Sequence, residues 1–350
     1  MTVAAGSRVS IRRAQLQDRP RAYAWLAQSD LTPQVYGPLY PERAAPTPEQ
    51  FAARYVNSYF DGARPYAGRM FVISVDDEEV GCIAHGPIDL LRDVVEVDIW
   101  LAGSQHGGRG IASQALAVLT GWLQATYGVN RFLARPSRRN VRALRALRRA
   151  GFREADAPAP AVIAKLRLRP GDWVDEALLF RVLPVPSSSL QPEQGRTYVF
   201  VDSEFTRLFE PELISIGAVA TDATAFYAEV RGWSPERTSD FVRQVVLPLL
   251  DGDSVPAAMA ADAFAAWLDE RAGRAPTTLI SDSGFDRWAI AELLGSEDLP
   301  AGVEWKRVAV PYEELDQATQ ALDLRRHHAL DDARALRHLL LDPHAARAPE

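Results

Sequence analysis

Two carboxylates two residues apart, Asp202 and Glu204, end an otherwise apolar run of β-branched and aromatic residues from Arg196 to Phe205 (RTYVFVDSEF). Such a run predicts a buried strand. Side chains alternate along a strand, so the pair shares one face at a separation of roughly 6 to 7 Å. Two unpaired buried carboxylates repel each other, and hard oxygen ligands on one face suit Mg²⁺ or Mn²⁺. Taken alone, the pair serves equally well at a solvated strand end. Two later stretches supply partners. Ser281 to Ile290 (SDSGFDRWAI) sets Asp286 at the opening of a helix, and Arg326 to Arg334 (RHHALDDAR) sets His327 four intervening residues before Asp332.

The order DxE, FD opening a helix, then H-x4-D resembles the DEDDh exonucleases, and the resemblance covers about 150 residues. Glu212 to Ala220 (ELISIGAVA) is similar to that family's second strand. The run from Tyr198 through Trp233 to Val242 (WSPERTSDFV) looks closest to a mycobacterial DEDDh exoribonuclease. The resemblance implies an RNase H-like α/β fold and 3′–5′ hydrolysis at RNA 3′ ends. It also implies that Asp202, Glu204, Asp286 and Asp332 hold two Mg²⁺ or Mn²⁺ ions about 4 Å apart. His327 would act as general base, for which an unperturbed pKa of about 6.5 is suitable. The H-x4-D spacing fits His327 and leaves His328 as its decoy, since His328 would pair with Ala333. Asp331 is expected to complement the positive end of the last helix, and Asp282 receives no role.

A 350-residue chain has room for two domains, and its single cysteine, Cys82, excludes an internal disulfide and a cysteine-cluster zinc site. A cytoplasmic setting is expected. No run approaches a membrane span, and the opening MTVAAGSRVSIRR lacks the apolar core of a signal peptide. Basic charge is nearly all arginine, with Lys165 and Lys306 the only lysines. Apolar periodicity gives way to Pro, Ser and Gln at Leu183 to Gly195 (LPVPSSSLQPEQG), which reads as a linker. Residues 1–184 carry 24 basic against 18 acidic residues, or +6, and residues 185–350 carry 15 against 28, or −13. The acidic half accords with a carboxylate metal cage but disfavours tight metal-free binding of a long polyanion. Short RNA ends are therefore the expected substrate.

In the first half, Val9 to Arg13 predicts a strand and Asp18 to Gln28 a helix with Tyr23, Trp25 and Leu26 inward. Leu31 to Pro48 reads as a loop that is either simply packed or a substrate lid. A hairpin is expected from Met70 to Val75 and Val80 to Ala84 through DDEE. Val94 to Leu101 (VVEVDIWL) follows as a strand with Glu96 and Asp98 on one face.

After that strand, Gln105 to Gln114 (QHGGRGIASQ) is a glycine turn entering an apolar-periodic helix, Ala112 to Tyr127. Such a turn either connects strand to helix or brings the backbone N–H groups of Gly108 to Ala112 to a pyrophosphate. Together with Asn140, Ala143 and Gly151-Phe152 (NVRALRALRRAGF), it resembles the GNAT acetyltransferases over residues 9–184. Asp175 to Leu183 (DEALLFRVL) fits as that fold's closing strand, and the pattern looks most like the aminoglycoside 6′-N-acetyltransferases. This resemblance implies an α+β fold that binds acetyl-CoA through Gly108, Arg109, Gly110, Ile111, Ala112 and Asn140, with an amine acceptor. Two positions depart from the family. Gly107 stands where the loop usually carries Gln or Arg, and Leu147 stands where many members have a proton-donating tyrosine. A thiolate with pKa near ~8.5 can leave without one. Asp98, or Glu96 beside it, is either the base that deprotonates the acceptor or a strand-end carboxylate.

Arg142, Arg145 and Arg149 recur along one face of the helix after Asn140. They form either a solvated stripe or a phosphate-binding surface for CoA or RNA. The sequence thus predicts an α+β GNAT domain (1–184), a Pro/Ser linker (185–195) and an α/β RNase H-like exonuclease domain (196–350). No membrane partner is expected, and a homo-oligomeric state is compatible with the chain. The rival readings are an acetyltransferase of an aminoglycoside or aminoacyl amine as the main activity, and a non-catalytic acyl-CoA module that directs the nuclease.

Overall fold

The computed structural model describes residues 8–37, 39–155, 166, 174–185 and 190–341. Contacts divide the chain into two compact units. One holds the chain up to Gln124 together with Val129–Pro184, and the other holds Ala125–Gly128 and the chain from Val185 on. The linker expected at 185–195 falls partly on residues 186–189, outside the described residues.

In the first unit a sheet of seven strands runs in the order β1-β2-β3-β4-β5-β7-β6. The strands are β1 (Val9–Arg13), β2 (Arg69–Val75), β3 (Glu78–Asp89), β4 (Val94–Leu101), β5 (Arg131–Ala134), β6 (Arg153–Glu154) and β7 (Leu179–Val182). Between β1 and β2 lie helices α1 (Arg19–Ala27), α2 (Pro48–Arg54) and α3 (Ser58–Asp61). Helix α4 (Ile111–Tyr127) and helix α5 (Val141–Arg149) flank β5 in sequence. In α1 only Ala22 is fully buried, while Tyr23, Trp25 and Leu26 pack half-buried against a core of Phe51, Phe60, Met70, Val72 and Trp100. β7 is shorter than the strand expected at Asp175 to Leu183. Its leading residues pair elsewhere: Glu176 forms an isolated bridge with Ser137, and Arg138 N–H donates to the Asp175 carbonyl at 3.0 Å.

β4 and β5 run parallel and pair only over Val94–Glu96 against Arg131–Leu133, whereas β4 continues to Leu101. The two strands therefore part beyond Glu96. Backbone hydrogen-bonding groups on that side of β4 beyond Glu96 have no ladder partner in β5.

In the second unit a mixed six-stranded sheet has the order β11-β10-β9-β8-β12-β13. Its strands are β8 (Thr197–Phe205), β9 (Leu213–Ala220), β10 (Ala225–Arg231), β11 (Ser254–Pro256), β12 (Thr277–Ser281) and β13 (Val303–Arg307). β8 pairs antiparallel with β9 and parallel with β12. Its α-helices among the described residues are α6 (Ala257–Ala272), α7 (Gly284–Leu294), α8 (Tyr312–Ala321) and α9 (Ala329–Leu341). Tyr198, Phe200, Val219 and Ile280 from the sheet meet Leu315, Ala333, Leu336 and Leu340 from α8 and α9 in one core cluster.

The start of α9 comes onto the sheet at one residue. A Cβ on Gly217 would lie 2.2 Å from Leu330 N and 2.4 Å from the Ala329 carbonyl carbon, both backbone atoms that cannot rotate away. Gly217 is the register partner of Asp202 across β8 and β9. The missing side chain thus lets the first turn of α9, with Asp332, descend onto the strand pair that carries Asp202. Gly217→Ala is expected to destabilise the second unit by about 3 kcal/mol through forced separation of α9 from the sheet. The check is the urea midpoint of unfolding; a midpoint equal to the parent's would contradict this close approach.

Candidate functional site

In the first unit a cavity of about 590 Å³ occupies the gap between β4 and β5. The glycine turn and the start of α4 line it through Gly107, Gly108, Gly110, Ile111 and Ala112. Gly108 and Gly110 have φ of 75° and 79°, a backbone region that L side chains rarely adopt. Arg109, expected with the cofactor residues, is exposed and does not line the cavity. Asn140 lines the cavity and caps α5 by accepting from Ala143 N–H at 3.0 Å. Arg142, Arg145 and Arg149 line the cavity while remaining exposed, so the solvated stripe on α5 also borders the cavity.

β4 sets Glu96 and Asp98 differently, although both line the cavity. Glu96 accepts two bonds from Arg135, at 2.9 and 2.7 Å, and this bidentate pair occupies it. Asp98 remains exposed and accepts from the Tyr55 hydroxyl at 3.1 Å. Burial, then the Asp98 charge, push the Tyr55 phenol well above its usual range, so it stays a donor. Tyr55 was not read from the sequence, although the capping box Thr47-Pro48-Glu49-Gln50 that begins α2 is a legible signal for the helix that ends beside it. Leu147 lines the same cavity and is 4% exposed; it offers no proton.

In the second unit the ends of β8, α7 and α9 bring six side chains into two triads. In each, the candidate ligand atoms lie within 4.8 Å of one another: Glu204, His327 and Asp332 in one, and Asp202, Asp282 and Asp286 in the other. All five residues singled out from the sequence are present. Asp282 is the one that sequence reasoning missed. It lies in the short turn between β12 and α7, whose N-cap Ser283 accepts from Phe285 N–H at 3.1 Å and so fixes the turn beside the acids.

The electrostatics are those of crowded acids. Burial, then the charges of Asp286, Asp332 and Glu204, hold the Asp202 carboxyl well above the carboxylate range. Burial and Asp282 do the same to Asp286, against a 2.7 Å bond from Ser203 Oγ. Glu204 is raised to about 8 by burial and by Asp332. Asp332 is raised to about 6 by burial, tempered by Arg326 and by the His327 N–H bond at 3.0 Å.

The two histidines differ sharply. His328 is 1% exposed, its ring 4.6 Å from that of Tyr227, and it sits in a network with Asp331 and Arg325. His327 is half-buried, with φ of 67°, and its ring lies 5.0 Å edge-on to Phe241. A non-glycine residue in that region is strained, as is common where a side chain is held for use. Burial, then the Arg326 charge, lower its pKa, which keeps the imidazole neutral. Asp331 stands in the first turn of α9, where it accepts from Arg325 and Arg334 at 2.8 Å each.

The donor set fits divalent cations. Asp286 Oδ2 and Asp332 Oδ1 are buried and have no hydrogen-bond partner, an arrangement that is costly for carboxylate oxygens unless a cation meets them. A pH dependence follows. The folded chain holds protons on these carboxyls that the unfolded chain releases near pH 4. The metal-free fold therefore has its full contribution below that range and loses it as pH rises through about 6 for Asp332 and about 8 for Glu204. In chelator, the melting temperature of the second unit is expected to fall between pH 5 and 8.5, and Asp202→Asn to flatten the fall. A pH-independent melting temperature across that window would contradict the mutual repulsion.

Residues 8–153 match the family described as an acetyltransferase (GNAT) domain. Among solved structures, this chain is similar to RimL, a ribosomal L7/L12 alpha-N-protein acetyltransferase in complex with coenzyme A. That match has 17% identity and a TM-score of 0.42, and covers 53% of this chain and 100% of that one. It is also similar to the aminoglycoside acetyltransferase AAC(6′)-Ib in complex with coenzyme A, with 18% identity, a TM-score of 0.38 and coverage of 50% and 94%. A third is the Salmonella typhimurium acetyl transferase that modifies the N-terminal serine of ribosomal protein L7/L12, with 16% identity, a TM-score of 0.40 and coverage of 53% and 100%. No curated protein matches the chain. No helix among the described residues is long and apolar enough to cross a membrane. The first unit of this chain thus carries, over residues 8–153, an acetyltransferase domain of the GNAT family.

Proposed function

We propose that the chain is bifunctional: a metal-dependent 3′–5′ exoribonuclease of DEDDh type in the second unit, joined to an acetyl-CoA-dependent N-acetyltransferase. The observation that carries the nuclease reading is the pair of triads with orphaned, buried carboxylate oxygens on Asp286 and Asp332. Asp202, Glu204, Asp286 and Asp332, with Asp282 beside them, would hold Mg²⁺ or Mn²⁺. Such ions supply Lewis acidity and charge neutralisation at a phosphodiester. His327 would take the proton of the attacking water on an imidazole nitrogen, a role its neutral state permits. The substrate is the 3′ end of a short RNA, and the fold is of RNase H type. The setting we propose is cytoplasmic.

On the first unit, the acetyl-CoA thioester supplies the acyl group, and Gly108, Gly110, Ile111, Ala112 and Asn140 form the cofactor end of the cavity. Backbone N–H groups at the start of α4 and the arginines of α5 suit its phosphates. Asp98 would hold and deprotonate the acceptor amine, since Glu96 is taken by Arg135. One observation favours a second reading of this unit. Leu147 presents no proton donor to the cavity, which suits an acyl-CoA-binding module that directs the nuclease.

Asp332→Asn and His327→Ala are each expected to lower Mn²⁺-dependent release of 3′ nucleotides by at least about 100-fold, with acetyl-CoA binding retained. His328→Ala should instead lower the melting temperature, because it removes a fully buried ring. Equal nuclease losses for the two histidines at equal stability would sink the assignment of the base. For the cavity, replacing Arg142, Arg145 and Arg149 together with Gln should weaken acetyl-CoA binding by at least tenfold, read by calorimetry. Asp98→Asn should leave that binding intact while lowering turnover on amines. Parental cofactor affinity in the triple variant would assign those arginines to solvent alone, and binding without turnover on any amine in the parent would select the module reading.

A further inference from the structure

Arg326 is the cation built into the acid cluster. Its NH1 donates to Asp332 Oδ2, on a carboxylate that is 1% exposed, and its Nε donates to Asp316 Oδ1 at 2.6 Å. The guanidinium carbon lies 4.8 Å from the Tyr312 ring centroid, a seat that holds the planar group in place. Asp332 Oδ2 also accepts from His327 N–H at 3.0 Å, so one oxygen of this carboxylate is fully engaged while Oδ1 has no partner. The other triad has a different supply. Asp286 receives a neutral hydroxyl from Ser203 at 2.7 Å, and Arg307 donates to the Asp282 backbone carbonyl at 3.1 Å while its charge, after that of Arg326, steadies the Asp282 carboxylate. Arg326 is thus bonded to a carboxylate of one triad, while only its charge reaches Asp202 and Asp282 in the other.

We propose that Arg326 is an internal counter-ion that competes with divalent cations for Asp332, so that the Glu204–His327–Asp332 triad binds metal more weakly than the Asp202–Asp282–Asp286 triad. The inference rests on the metal-dependent nuclease reading and deepens it. A fixed positive charge in contact with one ligand opposes a second cation at the same carboxylate, and in a partly buried site that opposition is weakly screened. In the absence of metal the same charge offsets repulsion among the carboxylates. Asp316, which is 43% exposed at its side chain, gives the guanidinium a second anchor outside the cluster, so it keeps a partner when Asp332 turns to a metal. Arg326 is thus a positioning residue that sets the order in which the two metal positions fill.

The test is isothermal calorimetry of the full chain with MnCl₂ alone, paired with melting in EDTA, on the parent, Arg326→Gln, Arg326→Met and Arg326→Lys. The parent should show two unequal sites. In Arg326→Gln the weaker site should tighten by about tenfold or more, and melting in EDTA should fall by about 3 °C or more. Arg326→Lys, which retains the charge, should bind Mn²⁺ within a few-fold of the parent. Arg326→Met keeps an apolar stem over Tyr312 and should repeat the Gln result, so that misfolding of one variant leaves the other as the test. Neutral variants that bind Mn²⁺ no more tightly than the parent would overturn the counter-ion role and leave the metal site standing. A parent that binds no Mn²⁺ at millimolar concentration would overturn the metal-dependent reading itself, and this inference with it.

Discussion

Repulsion among carboxylates that share a buried space is the constraint on which the second unit turns. Asp202, Glu204, Asp282, Asp286 and Asp332 come from one strand, one turn and two helices, and each is held above its ordinary pKa chiefly by burial, to which neighbouring carboxylates add for all but Asp282. A fold gains nothing from assembling such a group for its own sake, because replacing a buried charge by an apolar residue is commonly neutral or stabilising. The elements that enforce the arrangement are correspondingly rigid. Gly217 lets α9 settle onto backbone, and α7 is buried on nearly every face. Perturbed titratable groups held this firmly mark functional sites more often than structural ones.

The first unit is organised around a cavity bordered by β4 and α5. Parting of β4 from β5 beyond Glu96 opens the cavity without breaking the rest of the sheet. The strand that borders the gap carries both carboxylates, and their neighbours separate their roles: Arg135 engages Glu96, while Tyr55 leaves Asp98 accessible. Exposed Asp98 and the exposed arginines of α5 thus line the same cavity.

Much of this was legible from sequence because it depends on local spacing. DxE on a strand, FD at a helix start and H-x4-D before a helix each fix relative positions within one element, and the structure brings all five side chains together. What escaped depends on tertiary approach. Asp282 read as a substrate-loop residue without a role, and only the docking of β12 beside β8 places it against Asp202. Arg326 opened the histidine stretch with no role assigned, and its partners Asp316 and Asp332 come from different helices. Tyr55 meets Asp98 across a separation of 43 residues, which no periodicity reports. Arg109, named from the motif, is exposed and outside the cavity lining.

The most direct test of the account is anomalous diffraction at the manganese edge from crystals of the full chain soaked in Mn²⁺. The account predicts two peaks, one within the Asp202–Asp282–Asp286 triad and one within the Glu204–His327–Asp332 triad. Crystals in which neither triad carries a peak, while Mn²⁺ is ordered elsewhere on the molecule, would contradict it.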